Sequence, residues 1–102
     1  MIEGQQQPLQ QAGKVLNPAI LELVRKAPFN RFGWAIVDRW ALNSPDLLQS
    51  LAKKGEVILF NRLLDQQVRE QEVILENMEQ LNSGLTTMEL LSLHNIQTEL
   101  TP

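Results

Sequence analysis

Between Glu56 and Asn82 the chain runs 27 residues without a glycine or a proline. Within that stretch Phe60, Leu64, Gln67, Gln71, Ile74, Met78 and Leu81 recur at alternating intervals of four and three, a period that continues to Leu85. This pattern predicts one long amphipathic helix over about 56–82, and at 1.5 Å per residue it would extend ~40 Å. A domain of 100 residues has a radius of gyration of only ~13 Å. The rest of the chain is too small to cover such a rod, so part of its apolar stripe is expected to meet another copy or another protein.

Local signals divide the remaining sequence. Residues 1–16 contain Gln5-Gln6-Gln7-Pro8 and Gln10-Gln11 among scattered apolar side chains, and read as a flexible Gln-rich tail. Residues 17–102 read as a single helical domain. Asn17-Pro18 is an N-cap followed by a first-turn proline, and Arg25-Lys26 closes the helix that it starts. A second helix is expected from near Asn30 through Leu42, with Phe29, Phe32, Ile36, Val37 and Trp40 as its buried stripe. Ser44-Pro45-Asp46 opens a third, which ends at Lys53-Lys54-Gly55. A last helix begins at Thr86, which has capping-box spacing to Glu89. The expected fold class is therefore all-α, a small domain of about five helices with one long helix used for oligomerisation.

The residue inventory excludes most chemistry. With 102 residues and 43% hydrophobic side chains the chain can build a core, but it has no cysteine and only one histidine, His94. Neither a thiolate site nor a histidine pair can form, and Ser92 and Thr98 do not make a triad with His94 by spacing. Glu72, Glu76 and Glu79 share a helix face, but without a histidine they read as a solvated acidic surface rather than a metal site. The five glycines are scattered, which argues against a phosphate-binding loop. No catalytic, cofactor or metal site is expected. No stretch reaches the ~18 apolar residues of a membrane span, and the first residues lack the marks of a signal peptide, so a cytoplasmic location is expected.

Charge is unevenly placed. Residues 1–54 hold seven cations against four anions, whereas residues 55–102 hold two against eight, for a net charge of −3. An antiparallel homodimer would bring the acidic half of one chain near the basic half of its partner. The interface expected for it comprises Leu64, Val68, Gln71, Ile74, Leu75, Met78 and Leu81. Gln67 and Gln71 either set the register of that seam or mark a solvated middle of the helix. Trp34 falls opposite the buried stripe of its helix, where it is either covered by another helix or an exposed interface anchor.

These features favour a non-enzymatic interaction module, an adaptor, assembly factor or regulator, with an unidentified protein partner. The alternative is a nucleic-acid-associated regulator that uses Arg25, Lys26, Arg31, Arg39, Lys53 and Lys54 as phosphate contacts. The helix at 45–54 lacks the arginine and asparagine side chains that read base edges, which weakens that alternative.

Overall fold

The computed structural model describes residues 8–101, and these form a 3-10 turn followed by six α-helices and no strand. The helices are α1 (Pro18–Val24), α2 (Arg31–Asn43), α3 (Pro45–Lys53), α4 (Glu56–Glu76), α5 (Met78–Asn82) and α6 (Thr87–Leu93). The all-α expectation holds, and most of the predicted caps act. Asn17 accepts from the Ile20 amide, and Asn30 from that of Phe32. Thr86 and Glu89 form both arms of a capping box. Ser44 precedes α3 but its side chain makes no capping bond. Gly55, at φ +133°, makes the turn into α4 in a conformation that side chains with a β-carbon rarely adopt.

Two expectations are corrected here. The helix predicted over 56–82 stops at Glu76, after 21 residues. Asn77 breaks it with a φ of −127°, and its side-chain amide donates to the Val73 carbonyl at 2.8 Å, taking an acceptor that would otherwise serve the backbone. The tail predicted over 1–16 is also too long. Ala12–Lys14 form the 3-10 turn, and Leu9, Ala12 and Leu16 are buried. The Leu9 and Ala12 amides each donate to the Asp38 carboxylate at 2.8 Å, so one carboxylate on α2 anchors this segment. Residues 1–7, the remainder of that expected tail, lie outside the described residues.

α2 packs along α4, and α3 closes against both. The main core joins Ile36, Val37 and Trp40 of α2 to Leu48, Leu59 and Leu63, with Ile20 and Val24 from α1. Each fully buried aliphatic or aromatic side chain there contributes about 1.5–3 kcal/mol. Phe29 and Phe60 meet at 5.6 Å between ring centroids, which ties the α1–α2 connection to the start of α4. A smaller cluster of Ile74, Leu90 and Leu91 holds α6 on the far end of α4. The radius of gyration is 13.8 Å, so the fold wraps the shorter α4 more completely than a 40 Å rod would allow.

Candidate functional site

α4 has two unusual faces. Halfway along its length, the side turned to the body of the protein is polar. Gln66, Gln67 and Glu70 are all buried there, and no buried side-chain polar atom among the described residues lacks a partner. Arg39 of α2 grips Glu70 with both ends of its guanidinium, at 3.2 and 2.6 Å. It also donates to the Thr98 carbonyl at 2.7 Å, and Trp40 Nε1 donates to the same oxygen at 3.0 Å. Gln66 donates to Glu70 at 2.6 Å and to the Gln97 carbonyl at 2.7 Å, and accepts from Arg62 at 2.8 Å. These bonds strap the segment after α6 across α2 and α4, with Leu100 buried beyond it.

Gln67 holds the other side. Its amide donates to the Pro28 carbonyl and accepts from the Asn30 backbone, both at 3.1 Å. A β-carbon at position 33 would overlap Gln67 Oε1, so Gly33 gives α2 the close approach that this contact requires. Gln71, next along, is half-buried and accepts from the Asn30 side chain at 3.0 Å. Gln67 is buried in these contacts, so it neither keys a seam between chains nor marks a solvated middle. Both glutamines anchor the loop that leads into α2.

The opposite side of α4 is apolar where water is. Val57, Val68 and Leu75 are 69%, 55% and 50% exposed, and Leu64 is half-buried beside them. At about 100° per residue these four positions fall within about 40° of one another on the helix. Met78, just past the break, is also exposed.

Of the residues predicted for an interface, Val68, Leu75 and Met78 therefore lie on the surface. Ile74 and Leu81 do not. Ile74 is core to the α6 cluster and Leu81 packs against it, because after the break at Asn77 α6 returns onto the end of α4 and α5 packs on α6. Trp34 is half-buried against the main core, and its Nε1 donates to the Val24 carbonyl at 2.8 Å. It caps the end of α1 instead of standing out as an anchor.

The basic residues divide in the same way. Arg39, proposed as a phosphate contact, is engaged by Glu70, Thr98 and Glu99. Arg25 and Lys26 at the end of α1, Arg31 at the start of α2, and Lys53 and Lys54 at the end of α3 remain exposed. Arg31 lies 4.9 Å from the centre of the Phe32 ring. His94 is exposed after α6. Among the described residues no three acidic or histidine side chains gather as metal ligands. No helix among them is long and apolar enough to cross a membrane.

Gln66, Glu70 and Asp38 hold the fold together, and reading the apolar period alone passed over all three. One signal was present: Arg62, Gln66 and Glu70 are spaced four apart, a ladder of mutual hydrogen-bonding partners on one helix face. Comparison with known proteins finds no matching family model, curated protein or solved structure.

Proposed function

We propose that this protein is a non-enzymatic interaction module of the cytoplasm, acting as an adaptor, assembly factor or regulator through the outer face of α4. The observation that supports this is the exposed stripe of Val57, Val68 and Leu75. Aliphatic side chains aligned along one helix face and half or more exposed to water are disfavoured relative to the same side chains covered by a partner. The polar groups on the inward face of the same helix are already bonded, Glu70 by Arg39 and Gln66 by the Gln97 carbonyl, which leaves the stripe available to a partner. Nucleic-acid binding has lost one of its proposed contacts, because Arg39 is spent on Glu70.

A photo-crosslinking side chain placed at Val68 tests this in cells of the source organism. The expected result is a discrete protein adduct that disappears when Leu75→Glu is added. Recovery of nucleic acid released by salt, with no protein adduct, contradicts the proposal and moves function to the basic residues.

A further inference from the structure

Resting on that reading, we infer that the outer face of α4 receives a second copy of this chain, with the two α4 helices antiparallel and a two-fold axis at the level of Gln66. The seam is Val57, Asn61, Leu64, Val68, Gln71 and Leu75, stepping by four, three, four, three and four residues. Read from either end, it gives the same chemical order: aliphatic, amide, aliphatic, aliphatic, amide, aliphatic. An isologous contact requires this, because each residue meets its counterpart twice across the axis. Val57 packs on Leu75 of the second copy, Leu64 on Val68, and the Asn61 amide meets that of Gln71. The burial pattern agrees, since both ends of the seam and Val68 are at least half exposed.

Charge selects the orientation. Lys53 and Lys54 are exposed at the junction into α4, Glu76 is exposed at its last position, and Glu79 is exposed on α5 just past the break. The same register that pairs Val57 with Leu75 brings these lysines beside the glutamates of the second copy, at both ends of the seam. A parallel pair would set lysine against lysine and glutamate against glutamate, and would align the two helix dipoles. From Val57 to Leu75 the seam runs about 27 Å. A two-helix contact of that length belongs to the small end of specific interfaces, so the dimer depends on concentration.

The chain has no cysteine, which allows a direct test. Val57→Cys and Leu75→Cys are prepared separately, with Gln49→Cys on α3 as a collision control. All three positions are exposed, and circular dichroism verifies that each variant is folded. Under mild oxidation, a mixture of Val57→Cys and Leu75→Cys is expected to form the mixed disulfide at least about tenfold faster than either alone or the control, as pairing raises the local thiol concentration. Faster self-linking at each position overturns the antiparallel arrangement. Mixed-disulfide formation no faster than the Gln49→Cys control overturns the second copy as occupant. In that last case a retained photo-adduct to a different protein at Val68 preserves the interaction module, and loss of the adduct removes both.

Discussion

The two faces of α4 reverse the usual order of a surface helix. At its middle the inward face carries Gln66, Gln67 and Glu70, while Val57, Val68 and Leu75 line the outward one. The inward groups are tolerated because every one is bonded, and a buried polar network in that condition costs little and fixes geometry. The outward groups make no comparable contribution. The inward face therefore carries the stability of the fold, and the outward face is free to associate.

Breaking the inward face should have the largest effect. Glu70→Ala leaves the Arg39 guanidinium, itself only 15% exposed, with only the more exposed Glu99 carboxylate at 3.5 Å, and should lower stability by about 3 kcal/mol in urea unfolding. Gly33→Ala comes next. An alanine is ordinarily favoured over glycine within a helix by about 1 kcal/mol. Here its methyl displaces Gln67 and breaks the bonds to Pro28 and Asn30, so a net loss of about 2 kcal/mol is expected. Gly33→Ala combined with Gln67→Ala should cost less than the two single changes added together, and simple additivity would show that the two residues do not touch.

At the far end of α4, where the inward face turns apolar at Ile74, α6 depends on its cap. Thr86→Ala should cost about 1 kcal/mol and loosen α6 selectively, as followed by hydrogen exchange. The Thr86 amide, donating to the Glu89 carboxylate, holds that group below its ordinary value of 4.5, and the Thr86 hydroxyl acts in the same direction. Because the folded value is the lower one, this contribution is complete above the ordinary carboxylate range and fades as pH falls through the folded value. The Glu89 titration followed by carbon-detected NMR should move up only part of the way in the Thr86→Ala variant, because alanine keeps the backbone amide and removes only the hydroxyl. The smallest effect belongs to the outward face. Val68→Glu and Leu75→Glu should each change the stability of the isolated fold by no more than about 0.5 kcal/mol.

Much of this fold is legible in the sequence, because caps are local. Asn17-Pro18, Asn30 and the pair Thr86 and Glu89 each name a helix start from a few adjacent residues, and each acts in the structure. The misreadings share a cause, which is a partner distant in sequence. Nothing near Leu9 announces that Asp38 will accept its amide, and nothing near Glu70 announces Arg39. A period of three and four also cannot say which of two overlapping stripes turns inward. One stripe mixed Ile74 with Gln67, and both proved to be buried, while Val68 and Leu75 of the other remained outside. The break at Asn77 lacks the glycine or proline that usually marks one.

The division of labour between the two faces is tested most directly by light scattering of the wild-type protein and the Val68→Glu, Leu75→Glu double variant over matched rising concentrations. The account predicts that the wild-type mass climbs from 11.6 kDa toward twice that value, while the double variant stays folded at 11.6 kDa. Equal masses for the two proteins, or a double variant that unfolds, would contradict it.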